Sequence, residues 1–251
     1  MRIMVCEPVQ LSGNDQHRMD NAIPDKMLQA AQSACELIRD AGSADADLVC
    51  FPQWFVGFGN IAGFPNEITG LLQQAAQDSG VVVATGTFRA PGSGMKSRQC
   101  SLLLDTTGEI VLVQQKRNLY PLERQWQLAS EEIRCAQTAV GRVVISHGDD
   151  AADPVVYERV RALQPDVWVV QTNDMIDVPK WTGHQIGFRD LVAQRAQEMT
   201  APLACPMLKG EFMHVTYSGG SFLACPKLIG ICRCPWSLGS PAASRLGSGR
   251  G

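Results

Sequence analysis

The chain has 251 residues, of which 45% are hydrophobic and 19% are charged, and its formal net charge is −3. This length suits one large α/β domain, and the composition is that of a globular protein that can bury a sizeable core. The sequence contains no basic stripe or Lys/Arg run of the kind that binds nucleic acid, so we expect no nucleic-acid partner.

The first half of the chain alternates strands and helices. Short apolar runs predict strands at 3–6, 47–51 and 81–84, and apolar residues at helical spacing predict helices over 24–40 and 66–78. Pro24 near the start and Gly42 just past the end delimit the first helix. Two apolar runs around a Gly-containing polar turn predict a hairpin over 100–115.

The second half continues with a predicted loop over 117–138, strands at 142–146 and 167–171, and helices over 154–163 and 185–199. Several short strands are predicted between 203 and 232. We predict one domain over residues 1–237 and a disordered, low-complexity tail over 238–251. The alternation predicts an α/β fold of two packed sheets covered by helices, with functional groups at the strand ends near 51, 115 and 146.

No apolar run approaches the roughly 20 residues that would span a bilayer, and Met1-Arg2 leads directly into a predicted strand, so we expect no secretory signal. The nine cysteines are odd in number and scattered through apolar segments, which is typical of buried, reduced thiols. We therefore expect a cytoplasmic protein without membrane contact. One Cys-x-Cys pair at 232–234 and the acidic pair Asp149 and Asp150 lack the further ligands of a metal site, so we expect no metal and no cofactor.

Three segments carry a family resemblance. They are Ala-Asp-Leu-Val-Cys-Phe-Pro-Gln at 46–53, Lys-Arg-Asn-Leu-Tyr-Pro-Leu-Glu at 116–123, and Gly-Arg-Val-Val-Ile-Ser-His-Gly-Asp-Asp at 141–150 with Pro154 after it. Their order and spacing resemble the nitrilase superfamily of carbon-nitrogen hydrolases. The family patterns are an Ala-Asp-Leu strand ending in Pro-Glu, a Lys-x-x-Leu-x-Pro-x-Glu loop, and a strand ending in Ile-Cys-x-Asp with a proline six residues after the cysteine. The resemblance covers about residues 1–230 and implies an α-β-β-α sandwich.

In that family a thiolate attacks an amide or nitrile carbon, a glutamate moves the proton, and a lysine stabilises the developing negative charge. The resemblance gives the lysine role to Lys116 and a supporting role to Glu123. Gln53 stands where the family has its glutamate base, and an amide side chain cannot take up a proton at neutral pH. The resemblance also implies substrate-binding roles for Asn173 and Asp150.

The nucleophile position has two possible occupants, and neither is a cysteine. A match without a gap places Gly148 on the family cysteine, Asp150 on the acidic residue two positions later and Pro154 on the proline. A two-residue slip places Ser146 there and keeps Ile145 before it, but it misplaces the other two residues. A triad of Ser146 with its sequence neighbours is disfavoured, because adjacent strand residues point to opposite faces.

Two of the three catalytic positions therefore lack the family's chemistry. This favours a pseudoenzyme that keeps the fold and binds a small amide, nitrile or carboxylate at Lys116. The alternative is a working amidohydrolase in which Ser146 or a water attacks and Glu123 or Asp150 acts as base. A third possibility is a structural subunit of an oligomer. The resemblance also implies a homodimer.

Overall fold

Two β-sheets lie face to face and carry helices on their outer sides in a computed structural model of the protein. The structure describes residues 1–7, 9–10, 25–56, 63–121, 123–173, 179–212, 215–226 and 231–233. The predicted α-β-β-α sandwich is confirmed. The predicted tail over 238–251 lies outside the described residues.

The bounds of the elements are as follows. The helices are α1 (Asp25–Ser43), α2 (Glu67–Ser79), α3 (Pro154–Leu163) and α4 (Pro179–Met199). The strands are β1 (Ile3–Val5), β2 (Val9–Gln10), β3 (Leu48–Cys50), β4 (Val82–Pro91), β5 (Ser97–Leu104), β6 (Ile110–Gln115), β7 (Cys135–Thr138), β8 (Gly141–His147), β9 (Val167–Gln171), β10 (Leu203–Cys205), β11 (Lys209–Phe212), β12 (Val215–Ser218), β13 (Phe222–Ala224) and β14 (Ile231–Arg233).

Each of the two facing sheets combines parallel and antiparallel pairs. The first has the order β1-β3-β4-β5-β6, and the second has the order β14-β13-β10-β9-β8-β7; a small third sheet has the order β12-β11-β2. Strands β1, β3 and β4 are parallel, as are β8, β9 and β10. The chain between consecutive parallel neighbours contains one of the four helices, as the crossover between parallel strands requires. The carboxyl ends of the parallel strands therefore gather at one end of each sheet.

Local sequence signals explain several element ends. Asn66 and Thr69 form a reciprocal capping box at the start of α2, and Gly80 ends that helix with φ 63°. At the start of α3, the Asp153 side chain accepts a hydrogen bond from the Val155 N–H.

The core has three layers. Helices α1 and α2 pack on the outer face of the first sheet around Ile38, Leu72 and Leu104. Helices α3 and α4 pack on the second sheet around Trp168 and Val192. Between the sheets, alternate strand residues meet in a third cluster of mainly Val, Leu, Ile and Ala side chains. Because strand side chains alternate between faces, each sheet contributes to two of these layers.

Several predicted boundaries were wrong. Helix α1 continues to Ser43, so Gly42 lies inside the helix and does not end it. Strand β4 continues to Pro91 although its apolar run ends at Ala84. Thr87 pairs with Ser101 of β5, and the buried Thr85 hydroxyl accepts the Leu102 N–H of the same strand. The segment 117–138 is not entirely a loop, since it contains strand β7 and a 3-10 turn at Glu123–Gln125. Helix α4 begins at Pro179, six residues before its predicted start.

Candidate active site around Lys116

Lys116 follows β6 and is completely buried. Its backbone N–H donates to the Gln99 carbonyl at 2.8 Å. Its Nζ lies 2.9 Å from both carboxylate oxygens of Glu123 and 4.4 Å from the centroid of the Tyr120 ring. The second Glu123 oxygen also accepts the Tyr120 N–H at 2.8 Å. The loop thus holds a buried ammonium against one carboxylate and one aromatic face.

Two opposing effects act on the pKa of Lys116. Burial lowers it, because the charged ammonium is withdrawn from water. Glu123 opposes this shift through its charge and its hydrogen bond, and Asp150 and Asp149 oppose it through their charges. Glu123 is therefore the main partner that favours the protonated form of the buried lysine.

Gly148 lies beside this ammonium. It begins the 3-10 turn Gly148–Ala152 directly after β8, with φ 53°. A Cβ at this position would lie 3.3 Å from the Tyr120 Oη, 3.8 Å from Lys116 Nζ and 3.9 Å from Lys116 Cε. A side chain at position 148 would consequently project toward the lysine, and this chain has none there.

The Ser146 side chain lies on the helix-covered face of the second sheet. Its hydroxyl accepts a hydrogen bond from Trp168 Nε1 at 2.9 Å. It shares that face with Val144, which packs in the helix-covered layer, whereas Ile145 packs between the sheets. Lys116 belongs to the first sheet, so the Ser146 hydroxyl points away from the sheet that carries the lysine.

Asp150 connects two loops of the site. It is fully buried, and its two carboxylate oxygens accept the backbone N–H groups of His147 and Asn118, each at 3.0 Å. Burial raises the pKa of Asp150 to about 6, although the two hydrogen bonds and the charge of Lys116 lower it. The carboxylate ties the Gly148 turn to the loop that follows Lys116.

Gln53 is buried, with 2% of its surface exposed. Its Nε2 has no hydrogen-bond partner among the described residues. With the amide of Asn173 oriented to satisfy its surroundings, Asn173 donates to the Gln53 carbonyl at 3.1 Å and to the Thr172 carbonyl at 2.7 Å. Asn173 thus holds the backbone of the Gln53 turn, and the Gln53 side chain keeps a free donor.

Three hydrogen bonds link the Gln53 turn to Lys116. The Trp54 N–H donates to Thr87 Oγ1 at 2.9 Å, and Gln99 Nε2 donates to the same oxygen at 3.2 Å. The third is the bond from Lys116 to the Gln99 carbonyl. These contacts bring the Gln53 turn and the Lys116 loop to the same end of the first sheet.

A buried polar chain lies between the two sheets. Gln171 Nε2 donates to the carbonyls of Phe51 (2.9 Å) and Thr85, so its Oε1 accepts from the Ser101 hydroxyl. With its one proton used, Ser101 accepts from His147 Nε2 at 2.7 Å. His147 is therefore the Nε2–H tautomer, and its Nδ1 lone pair has no partner among the described residues. Burial and then the charge of Lys116 lower the pKa of His147 to about 3.

Sequence reasoning did not assign Ser101 or Gln171 to the site. Gln171 gave a signal, because it ends the otherwise apolar strand β9, whereas Ser101 follows the polar residues 97–99 of β5 and gave none. A buried polar group needs a hydrogen-bond partner, and here the partners lie across the sandwich.

Comparison with known proteins decides the family. The carbon-nitrogen hydrolase family matches residues 16–238. The chain belongs to the carbon-nitrogen hydrolase family. A search of curated proteins gives no match.

Three solved structures of other proteins share this fold at low identity. A mutant amidase from Nesterenkonia sp. AN1, with the acetamide moiety of fluoroacetamide added at its active-site cysteine, is 19% identical, with a TM-score of 0.69 over 90% of this chain and 82% of that one. A carbon-nitrogen hydrolase from Helicobacter pylori G27 is 11% identical (TM-score 0.73, 92% and 84%). The C. elegans NitFhit protein is 18% identical (TM-score 0.72, 92% and 57%).

In this member of the carbon-nitrogen hydrolase family, the predicted site residues separate into two groups. Lys116, Glu123, Gly148 and Asp150 lie around one buried centre, and hydrogen bonds join the turn of Gln53 to it. Ser146 lies on the far face of its sheet. Among the described residues, no three His, Cys, Asp or Glu side chains are grouped to hold a metal ion, and no helix is long and apolar enough to cross a membrane.

Proposed function

We propose that the protein binds a small amide, nitrile or carboxylate at Lys116 and does not cleave it by thiol catalysis. The observation that carries this proposal is the glycine beside the lysine ammonium: a Cβ at Gly148 would lie 3.8 Å from Lys116 Nζ, and residue 148 has no side chain that could act as a nucleophile. Gln53 supports it, because an amide at the family's glutamate position cannot act as a base. Loss of general-base catalysis alone lowers a rate by a factor of about 10² to 10⁴.

The alternative of a rearranged amidohydrolase has less support. A serine hydroxyl needs an adjacent base to become a nucleophile, and the Ser146 hydroxyl instead accepts from the Trp168 indole on the far face of its sheet. Both oxygens of Asp150 accept backbone N–H groups, and Glu123 is paired with Lys116.

Alkylation by fluoroacetamide tests the missing nucleophile directly. In the Nesterenkonia amidase, a mutant with glutamine in place of a glutamate carries the acetamide moiety of this reagent at its active-site cysteine. The reagent therefore reports a reactive cysteine even where that glutamate is absent.

The experiment compares wild type, Gly148→Cys and, as the matched control, Gly148→Ala after incubation with fluoroacetamide. Mass spectrometry with peptide mapping should find no adduct at position 148 in wild type or Gly148→Ala and an adduct in Gly148→Cys. A side chain there needs the left-handed backbone conformation, which costs about 1–2 kcal/mol, so thermal unfolding should first verify that both variants fold.

Hydrolysis assays on a panel of small amides, nitriles and N-carbamoyl compounds complete the test. Wild type should bind members of the panel, as seen by ligand-observed NMR, without turnover. The double variant Gln53→Glu/Gly148→Cys should gain turnover. Wild-type turnover that disappears in Lys116→Ala would overturn the proposal.

We also propose that the protein is a cytoplasmic homodimer. The family resemblance supports the dimer, and the buried free thiols of Cys35, Cys50 and Cys100 agree with a reducing compartment. Light scattering coupled to size-exclusion chromatography should give twice the chain mass; a monomer mass at micromolar concentration would contradict the dimer.

A further inference from the structure

We infer that the ligand of the Lys116 site is a small monocarboxylate, held by the Lys116 ammonium and the Gln53 amide nitrogen, in preference to the amide of the same shape. This inference rests on the proposed binding function and specifies its ligand. It comes from two donors of the site, the Lys116 ammonium and the Gln53 amide nitrogen, of which the second has no partner among the described residues.

The hydrogen-bond donors of the site decide the ligand class. The Lys116 ammonium has three N–H donors, and Glu123 is its anionic partner within the loop. Gln53 Nε2 is a second donor, buried and without a partner among the described residues. An unpaired buried donor is costly, so a ligand that accepts its hydrogen bond gains affinity.

An amide and a carboxylate differ in what they offer to two such donors. A primary amide has one acceptor oxygen and one NH₂ group. If its oxygen accepts from the ammonium, its NH₂ group faces the Gln53 nitrogen, and both of these groups are donors. A carboxylate has two acceptor oxygens, one for the ammonium and one for the Gln53 nitrogen. A glutamate at position 53 would reverse this preference, because it accepts from an amide NH₂ and repels a carboxylate.

The charges around Gly148 explain why a neutral glutamine at position 53 favours an anionic ligand. Asp149 and Asp150 raise the pKa of Lys116, and Arg117 lowers the pKa of Asp150, so carboxylates and cations both lie near the Gly148 turn. Asp150 has both oxygens occupied by backbone N–H groups. One more carboxylate would oppose an anionic ligand, and a neutral glutamine removes that opposition.

The burial of both donors limits the ligand's size. Lys116 is completely buried, and Gln53 has 2% of its surface exposed. This favours acids with a very short chain, such as acetate and propionate, whose amide counterparts are acetamide and propionamide.

The test measures the dissociation constants of these two acids and two amides on the full chain at about pH 7, by calorimetry or NMR titration. Wild type should bind each acid at least about tenfold more tightly than its amide, the factor expected for one charge-assisted hydrogen bond. Gln53→Glu, which is isosteric, should reverse that order. Gln77→Glu, an exposed change of the same charge on α2, should leave it unchanged.

The outcomes separate the inference from the function on which it rests. Equal or tighter amide binding by wild type, or an unchanged preference in Gln53→Glu, would overturn the carboxylate inference and leave a binding function standing. Binding of neither class, or hydrolysis of the amide during the titration, would overturn the proposed function as well. Lys116→Met, which removes the ammonium and keeps an unbranched chain, should abolish binding of both acids.

Discussion

Replacing His147 with glutamine should make the stability of the protein less sensitive to acid. The imidazole is completely buried between the sheets and donates from Nε2 to the Ser101 hydroxyl at 2.7 Å. A glutamine Nε2 can donate to the same hydroxyl but does not titrate. The comparison therefore isolates the proton uptake of one buried imidazole.

The sign follows from proton linkage. Burial lowers the pKa of His147 from 6.5 to about 3. Between these values the unfolded chain takes up the proton and the folded chain does not, so wild type loses stability as the pH falls below about 6.5. Relative to the variant, the loss is about 2 kcal/mol at pH 5 and about 3 kcal/mol at pH 4.5. Asp150, with its raised pKa, acts with the opposite sign in this range, but it is present in both proteins and cancels.

Urea unfolding followed by circular dichroism gives the free energy of unfolding of both proteins at about pH 7, 6, 5 and 4.5. The stability of wild type minus that of the variant should fall steadily through this series, whatever its value at neutral pH. A difference that stays constant with pH would refute the reasoning, because His147 would then titrate near its ordinary pKa and could not be enclosed as described.

Two further changes test the ion pair and a tight turn. Glu123→Gln removes the anionic partner of the buried Lys116 ammonium and should lower the free energy of unfolding by about 3 kcal/mol. Urea unfolding at neutral pH measures this loss. A loss below about 1 kcal/mol would mean that the pair is effectively solvated. Gly219→Ala should destabilise by about 2 kcal/mol or more, since Gly219 has φ 69° and the new Cβ would overlap the Glu7 carboxylate. The control Gly70→Ala, on α2 with nothing within 4 Å, should raise the denaturation midpoint instead.

Local signals were enough for elements that contain their own start and stop residues. Helix α3 and strand β9 have their predicted bounds, because Asp153 and Pro154 begin the helix and an unbroken apolar run marks the strand. Strand β7 and the second half of β4 escaped prediction. Their backbone hydrogen bonds come from neighbouring strands, and their own residues are too polar to indicate a buried strand.

The candidate site divides in the same way. The sequence alone determined that Lys116 and Glu123 share one loop and that the turn directly after β8 contains no cysteine. It left Gly148 and Ser146 both open as occupants of the nucleophile position. Only the packing of the two sheets decided which of them lies beside the lysine. Side chains alternate along a strand, so Ser146 is directed into the helix-covered layer, and the chain passes the ammonium at the turn of Gly148.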